Sequence, residues 1–423
     1  QDPNPSIASA VFAAPSPTGL QTPSPAMRAA VPLSHPLRLL AVALTVALAS
    51  ATRSRTAGPG NATAAATAAV ACGPSAYEEF ARSQAGAGAR VPETAADGHH
   101  RRALFERRCK AVAAQNARAG ARWQATVNHF ADRTDAELRS HLGYRRSGFG
   151  GRRALGPLAS SALAAAMLFK DAVAEAVDWR SGLQSSSFVR DQGHCGSCWA
   201  QAAAGAVEMH AELGSRSAAR VSADHLLQCV PNPQHCGGSG GCEGATSELA
   251  FGYIKQHGVL LEQQGPGNSL AASSCAPSGG RRATISGFVQ LPSNREEPLL
   301  GSLAAVGPVV VSVDATSWFI YRSGIFDSCP RDAVVNHAVL AVGYERDAYV
   351  IRNSWGRRWG EDGHIRLLRT EGHCGTDHNP QEGNGCQGGP REVPVCGMCG
   401  VLSDSAYPVG VGYVDAAPPS SAG

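Results

Sequence analysis

The sequence predicts an α+β fold with a helix-rich part followed by a strand-rich part, and a separate helical segment upstream. A helix is expected from Cys198 to Glu212, because apolar residues recur there every three or four positions and share one face: Ala202, Ala206, Met209 and Leu213. From residue 309 onward, beginning with Val309-Val310-Val311-Ser312-Val313, short β-branched runs are typical of strands. Residues 97–116 show a helical spacing of their own.

The first 75 residues are expected to lie outside the folded part. Residues 1–26 are rich in Pro and Ser and aperiodic, so Met27 is the better start. Residues 27–51 combine Arg28 and Arg38, an apolar run too short to span a bilayer, and Ala49-Ser50-Ala51, which predicts a secretory signal peptide. A signal anchor is the weaker alternative. Residues 52–75 form an alanine-rich, low-complexity linker with a glycosylation sequon at Asn61.

The main domain is expected over residues 174–423. Ser222 has the side chain and position to cap a second helix. Two later apolar runs, Ala338–Val342 and Ala348–Ile351, predict neighbouring short strands. A polar residue with catalytic potential stands at the edge of each.

The candidate nucleophile is Cys198, at the predicted start of the long helix. Only a thiolate attacks carbonyl carbon efficiently, and a free thiol has a pKa of about 8.5. The partial positive charge of a helix N-terminus lowers that pKa. A structural disulfide with the neighbouring Cys195 is the alternative.

His337 and Asn353 are the candidate partners of Cys198. They follow it by about 140 and 155 residues, close to the spacing of roughly 130–150 known for one class of Cys–His–Asn sites. Taken singly, a core histidine and a turn asparagine would be ordinary alternatives. The shared order and spacing favour a catalytic set.

Together, Cys195-Gly196-Ser197-Cys198-Trp199, His337 and Asn353 resemble the papain family of cysteine proteases, and its cathepsin L-like members in particular. The resemblance implies a papain-like two-lobe fold, with a helical lobe packed against a β-barrel lobe and a cleft between them. It also implies that Cys198 attacks the scissile carbonyl, that His337 protonates the leaving amine, and that Asn353 orients the imidazole.

Two further roles come from the same resemblance. The side-chain amide of Gln192 and the backbone N–H of Cys198 are expected to stabilise the oxyanion. Trp355 is expected to shield the His337–Asn353 hydrogen bond from water and to form the wall on the leaving-group side.

Residues 76–146 resemble the inhibitory prosegment of cathepsin L-like zymogens. One helical face carries a pattern similar to the ERFNIN motif: Asp97, Arg101, Leu104, Phe105, Arg108, Val112 and Asn116. Asn128-His129-Phe130-Ala131-Asp132 is similar to the second prosegment motif. An ordinary amphipathic helix with a turn is the alternative. The resemblance implies a prosegment that runs backwards through the cleft, with cleavage in a processing linker over 147–173 that contains Arg152-Arg153. Protonation of carboxylates such as Asp132 is expected to loosen it in acid.

Thirteen cysteines, mostly after residue 194, favour an oxidising compartment and a disulfide framework. The resemblance implies three bridges: Cys195–Cys242, Cys229–Cys275 and Cys329–Cys399. The pairing of the remaining residues stays open: Cys72, Cys109, Cys236, Cys374, Cys386 and Cys396.

The resemblance also indicates the substrate-binding residues. The backbone of Gly244 and Ala245 is expected to pair with P2, the second substrate residue before the scissile bond, although the methyl group of Ala245 narrows the approach. The S2 pocket that receives the P2 side chain would be lined by Thr246, Ser247, Ser312, Val335, Ala338 and Asp404. A buried carboxylate needs a cation or water, so Asp404 predicts that arginine is accepted at P2. A solvated aspartate is the alternative.

Residues 370–395 form an insertion that contains Cys374 and Cys386 among Gly, Asn and Pro. A disulfide-stapled surface loop is expected. Zinc binding by Cys374, His378 and Cys386 is one alternative, and a redox pair of Cys396 and Cys399 is another.

The sequence therefore predicts a cysteine endopeptidase made as a secreted, lysosomal or vacuolar zymogen, without cofactor or metal. A papain-like exopeptidase or transpeptidase, and a non-catalytic binding paralogue, remain as alternatives. The expected partners are peptide and protein substrates, the chain's own prosegment and cystatin-type inhibitors. A formal net charge of +3 gives no reason to expect nucleic acid. A monomer is expected.

Overall fold

The computed structural model describes residues 72–84, 94–144, 174–262, 275 and 280–415, all within the unit Thr67–Gly423. The predicted signal peptide, the segment before it, almost all of the 52–75 linker and the 147–173 processing linker lie outside the described residues. In the described part, no helix is long and apolar enough to cross a membrane.

The prosegment contributes three helices and one strand: α1 (Pro74–Gln84), α2 (Ala95–Ala117), β1 (Trp123–Ala125) and α3 (Asp135–Arg139). Helix α2 begins after Thr94, whose hydroxyl accepts the N–H of Asp97. The face predicted from the spacing of three and four is buried; it includes Arg101, Leu104, Phe105, Arg108 and Val112.

The helix-rich lobe is built around α4 (Cys198–Ser215), with α5 (Ala223–Cys229) and α6 (Ser247–His257) against it. Helix α4 is alanine-rich and buried on almost every side over its first fourteen residues, so neighbouring elements approach it closely. Ser222 caps α5, as its position predicts, and accepts the N–H of His225.

The strand-rich lobe also contains α7 (Glu296–Ala305). Its strands and those of two smaller sheets are β2 (Val177–Asp178), β3 (Val259–Leu260), β4 (Arg282–Thr284), β5 (Gly287–Gln290), β6 (Val309–Val313), β7 (Tyr321–Phe326), β8 (His337–Tyr344), β9 (Ala348–Arg352), β10 (His364–Leu368), β11 (Cys374–Asp377), β12 (Val393–Cys396), β13 (Ser405–Val409) and β14 (Gly412–Val414). The main sheet has the order β1-β7-β10-β9-β8-β6-β13-β5, with β2 beside β8; β11 and β12 form a hairpin, and β14-β4-β3 a third sheet.

Two hydrophobic cores accompany this division. One surrounds α4 and includes Trp199, Met209 and Phe251. The other fills the strand-rich lobe and includes Trp318 and Trp359. Six prosegment side chains belong to this second core: Val112, Trp123, Ala125, Phe130, Leu138 and Leu142. The prosegment is therefore packed as part of the lobe, and β1 extends the main sheet by pairing with β7.

Candidate active site

The thiol of Cys198 lies at the N-terminus of α4, between the two lobes. The loop that precedes it is fixed by the Cys195–Cys242 disulfide, and Cys198 is the free cysteine of the described residues. The backbone N–H of Ala338 donates to its Sγ at 3.2 Å. Because Ala338 follows His337 on β8, this contact brings the sulfur to the start of that strand.

The imidazole of His337 is bonded to the side-chain amide of Asn353. Its Nε2 is 2.8 Å from Oδ1 of Asn353, directly after β9, so Nε2 carries the proton in this pair. The buried Nδ1 has no hydrogen-bond partner among the described residues. The ring of Trp355 lies 5.1 Å from the imidazole, centroid to centroid, and is itself buried. The pair is therefore covered by an aromatic wall.

Gln192 projects its amide toward the same place. Its Nε2 donates to the carbonyl of Cys195 at 2.9 Å and to the carbonyl of His141 in the prosegment at 3.1 Å. Its Oε1 accepts the hydroxyl of Ser354 at 2.5 Å, which fixes the orientation of the amide. A donor beside the nucleophile is thus occupied by a carbonyl oxygen of the chain itself.

The prosegment covers the nucleophile at Gly143. A side-chain carbon added at Gly143 would lie 2.0 Å from Sγ of Cys198 and 3.1 Å from the carbonyl oxygen of Gly196, so only glycine fits there. The carbonyl oxygen of Gly143 lies against Gly244, one of the predicted substrate-binding residues, where an added carbon would be 2.1 Å away. The prosegment backbone therefore fills the position that a substrate would need.

Burial shifts the pKa of both groups toward their neutral forms. It raises the pKa of the Cys198 thiol to about 12, although N–H groups of Ala338 and Gly143 favour the thiolate. Burial also lowers the pKa of His337 to about 4, despite the hydrogen bond to Asn353. In this covered state the pair is a thiol and a neutral imidazole.

The side chain of Tyr144 occupies the predicted S2 pocket. It is buried, and its hydroxyl lies 3.2 Å from Oγ of Ser312. The Ser312 hydroxyl donates to Oδ2 of Asp404 at 2.8 Å. Tyr144 shares its apolar cluster with Ala245 and Ala338, two other predicted pocket residues.

Three predicted pocket residues lie at its margin. Thr246 is buried, but its hydroxyl caps α6 by accepting the N–H of Leu249. Ser247 is buried too and donates to the carbonyl of Trp199. Val335 is buried under the insertion, with its carbonyl accepting the N–H of Asn384.

Asp404 was expected to need a cationic ligand or water. It is partly buried and accepts hydrogen bonds from two neutral side chains, and its acceptance of arginine at P2 stays a prediction. Besides Ser312, the amide Nδ2 of Asn384 donates to Oδ2 at 3.0 Å. Asn384 was not among the predicted site residues, because nothing in its local sequence connects the insertion with a pocket formed by β6 and β13.

The insertion is stapled by two disulfides, Cys236–Cys386 and Cys374–Cys396. The first joins it to the helix-rich lobe and the second closes the β11–β12 hairpin. These pairings remove Cys374 and Cys386 from the zinc alternative, and His378 contacts Glu392 instead. The redox alternative fails for the same reason, because Cys396 and Cys399 belong to different bridges.

The other bridges are Cys72–Cys109 in the prosegment, and Cys195–Cys242, Cys229–Cys275 and Cys329–Cys399, the three pairings that the resemblance implied.

Asp132 does not have the role expected for it in acid. Burial raises its pKa, and the nearby Arg133 and Arg101 only partly oppose this. A carboxyl group with a raised pKa binds its proton more tightly in the folded zymogen than in the unfolded chain, so its protonation stabilises the fold.

Comparisons with known proteins match this chain to cysteine proteases and cathepsins. The family model described as papain family cysteine protease matches residues 173–389. Cathepsin S of Rattus norvegicus is 33% identical over 258 residues, which cover 59% of this chain and 74% of the relative. The matches to cathepsin S of Bos taurus and Mus musculus cover 63% and 61% of those relatives. A cathepsin L-like proteinase of Fasciola hepatica is 33% identical over 294 residues, covering 66% of this chain and 85% of the relative.

Solved structures of precursor forms share the fold. Digestive procathepsin L 3 of the Tenebrio molitor larval midgut is 26% identical, with a TM-score of 0.57, covering 79% of this chain and 98% of that one. The recombinant stem bromelain precursor is 25% identical, with a TM-score of 0.55 and the same coverage of both chains.

Proposed function

Because the chain belongs to the papain family of cysteine proteases, we propose that it is a cysteine endopeptidase that hydrolyses peptide bonds with Cys198, His337 and Asn353. The observation that carries the proposal is the convergence of these groups. The sulfur contacts the residue after His337, and His337 bonds to Asn353 at 2.8 Å.

In the proposed mechanism, Nδ1 of His337 takes the thiol proton, and the thiolate of Cys198 attacks the scissile carbonyl carbon. The oxyanion accepts hydrogen bonds from the Gln192 amide and the backbone N–H of Cys198. Imidazolium Nδ1 then protonates the leaving amine as the C–N bond breaks. Water attacks the resulting thioester, His337 accepts its proton, and the acid product leaves while the thiol is restored. Asn353 and Trp355 hold the imidazole and keep its hydrogen bond dry.

The prosegment is the intramolecular inhibitor of this site. The carbonyl of His141 accepts a hydrogen bond from the Gln192 amide, and Gly143 lies against the thiol of Cys198. We assign residues 76–146 to the propeptide, 147–173 to the processing linker and 174–423 to the peptidase domain. Removing the propeptide returns water to the cleft, which lowers the cost of the thiolate–imidazolium pair.

Arginine as well as apolar side chains is proposed to enter the S2 pocket. The end of the pocket presents acceptors, Oγ of Ser312 and the Asp404 carboxylate. We expect the Asp404→Ala variant to lower the ratio of kcat/KM for P2 arginine to that for P2 leucine. An unchanged ratio would show that Asp404 does not contact the substrate.

The six disulfides of the described residues favour an oxidising route through the secretory pathway. A lysosome, a vacuole or the extracellular space is the proposed destination. Cystatin-type proteins are proposed as inhibitors that enter the vacated cleft, and the processed enzyme as a monomer.

The test is labelling with an epoxysuccinyl inhibitor after incubation in acid, with the wild-type chain beside its Cys198→Ala variant. We expect covalent label on Cys198 only after the prosegment is lost, together with peptide hydrolysis. Folded, processed wild-type protein that takes up no label and cleaves no peptide would contradict the proposal.

A further inference from the structure

The insertion reaches the pocket that holds Tyr144. Its backbone is tied to the strand-rich lobe, where the N–H of Asn384 donates to the carbonyl of Val335 at 3.0 Å. It is also tied to the helix-rich lobe, where the N–H of Gly237 donates to the carbonyl of Gly385 at 3.1 Å beside the Cys236–Cys386 disulfide. The insertion therefore connects both lobes at the S2 end of the cleft.

The wall that the insertion supports fits an aromatic ring. A side-chain carbon added at Gly237 would lie 2.7 Å and 3.1 Å from two ring carbons of Tyr144, so the absence of a side chain there admits the ring. The conformation at Gly237, with φ of 67°, also favours glycine.

The far end of the pocket can be assigned a direction of hydrogen bonding. The Asp404 carboxylate is an acceptor, so Ser312 commits its single proton to it. The Tyr144 hydroxyl, 3.2 Å from the same serine oxygen, is then the donor. The pocket therefore offers an acceptor to the tip of a side chain, and a phenol satisfies it without carrying charge.

Asn384 makes this end less attractive for a cation. Its amide donates to the same Oδ2 that accepts from Ser312, so that carboxylate oxygen already has two neutral donors. A cation must compete with these donors, whereas a phenol uses Ser312 alone.

We propose that the 370–395 insertion is a specificity element in which Asn384 makes the S2 pocket select tyrosine over arginine at P2. The inference rests on the proposed peptidase function, and it concerns a residue that contacts the pocket, not the reacting atoms. Arginine still enters, but tyrosine is preferred.

The first experiment uses processed enzyme and fluorogenic peptides that differ only at P2, with Tyr, Phe, Leu or Arg. Wild type is expected to show its highest kcat/KM with Tyr, above Phe. Asn384→Ala should raise the Arg-to-Tyr ratio of kcat/KM about tenfold, the size of one hydrogen bond to a charged group, and Asn384→Asp should raise it further. A ratio measured on one sample does not depend on how much of it is folded.

The control is Gln381→Ala, in the same insertion, because the Gln381 side chain is exposed. Its Arg-to-Tyr ratio should equal that of wild type. Labelled, active enzyme whose ratio is the same in wild type, Asn384→Ala and Asn384→Asp would overturn the inference and leave the proposed function intact.

A second experiment does not require activity. In the full chain carrying Cys198→Ala, Tyr144→Arg should lower the thermal midpoint of the zymogen, and adding Asn384→Ala should recover part of that loss. If Tyr144→Arg lowered the thermal midpoint equally in chains with and without Asn384→Ala, the inference would be overturned. This outcome does not depend on whether the protein has peptidase activity.

Discussion

At the scale of single residues, latency depends on how closely Gly143 approaches the thiol. The sulfur is buried by prosegment backbone, and burial is the largest cause of its raised pKa. The helix N-terminus and the adjacent N–H donors oppose that effect but do not overcome it in the covered state. The prosegment thus covers the Cys198 thiol and also raises its pKa.

The first prediction concerns Gly143→Ala. The added methyl group cannot coexist with Sγ of Cys198, and overpacking of this kind costs about 1–3 kcal/mol. We therefore expect the unprocessed variant to react with the epoxysuccinyl inhibitor about tenfold faster than the unprocessed wild type. Gly73→Ala, just before the prosegment and with no atom within 4 Å of the added carbon, should label at the wild-type rate.

At the scale of elements, the buried guanidinium of Arg101 joins α2 to α3. Arg101 donates to Asp97 at 3.1 Å and to the carboxylate of Glu137 at 3.0 and 3.1 Å, and its side chain is only 4% exposed. Thr134 and Glu137 form a capping box that begins α3, so the same carboxylate serves both the cap and the ion pair.

The second prediction compares neighbouring arginines. Arg101→Ala removes the buried guanidinium that binds both Asp97 and Glu137, so we expect the zymogen to lose about 3 kcal/mol of unfolding free energy in urea denaturation. Arg102→Ala removes a partly exposed pair with Glu106 and should cost less than about 1 kcal/mol. Similar losses for the two variants would mean that the buried network does not hold α3.

Sequence analysis could predict single helices and strands but not the contacts between distant segments of the chain. Helix α4, strands β8 and β9 and the spacing of Cys198, His337 and Asn353 are local patterns, and the structure brings those residues together. The partner of Cys236 lies 150 positions away, and the pairing depends on the path of the insertion. Asn384 was missed for the same reason, since its contact with Asp404 exists only after the insertion has folded back onto the strand-rich lobe.

The third prediction concerns the insertion as an element. Cys236→Ser with Cys386→Ser removes its tie to the helix-rich lobe, so Gly237 and Asn384 lose a constraint on the S2 pocket. We expect the preference for P2 tyrosine over arginine to fall, while Cys198 still labels. Cys374→Ser with Cys396→Ser, which opens only the hairpin, should change the preference less.

At the scale of the whole molecule, the prosegment carries histidines that are buried in their neutral form. Burial lowers the pKa of His141 to about 3, with His194, His129, Arg133 and His337 adding repulsion. Burial likewise lowers the pKa of His129 to about 4. Both ring nitrogens of His141 lack a hydrogen-bond partner among the described residues. These groups, in place of Asp132, provide a reason for activation in acid.

The sign of the effect is fixed by linkage. An imidazole whose folded pKa is depressed takes up its proton first in the released segment, so stability is lost as pH falls from about 6.5 toward the folded pKa. Glu137 affects stability at a lower pH. Although burial raises its pKa, hydrogen bonds from Arg101 and Thr134 hold that pKa at about 2. Its contribution is therefore lost only below about pH 4.5.

The fourth prediction follows. Conversion of the wild-type zymogen should accelerate as pH falls from about 6.5 to 4, by up to about tenfold per pH unit for each histidine that titrates. His141→Gln should flatten this dependence, measured as the rate of prosegment loss across that range. His99→Gln, on the exposed side of α2, is the control and should keep the wild-type profile. If His141→Gln kept the wild-type dependence of conversion rate on pH, His141 would not be the group whose protonation accelerates conversion.

The pairing of β1 with β7 has a consequence for biosynthesis. Helix α2 and β1 are joined locally, because Asn116 bonds to both the N–H and the carbonyl of Ala125, and both are translated before any residue of the lobe they complete. A growing chain thus has a preformed sheet edge and several core side chains available when β7 leaves the ribosome. We expect a processed domain that unfolds to refold poorly, because proteolysis has removed β1 and the prosegment side chains of its core. The lifetime of the processed enzyme is then set by how slowly it unfolds.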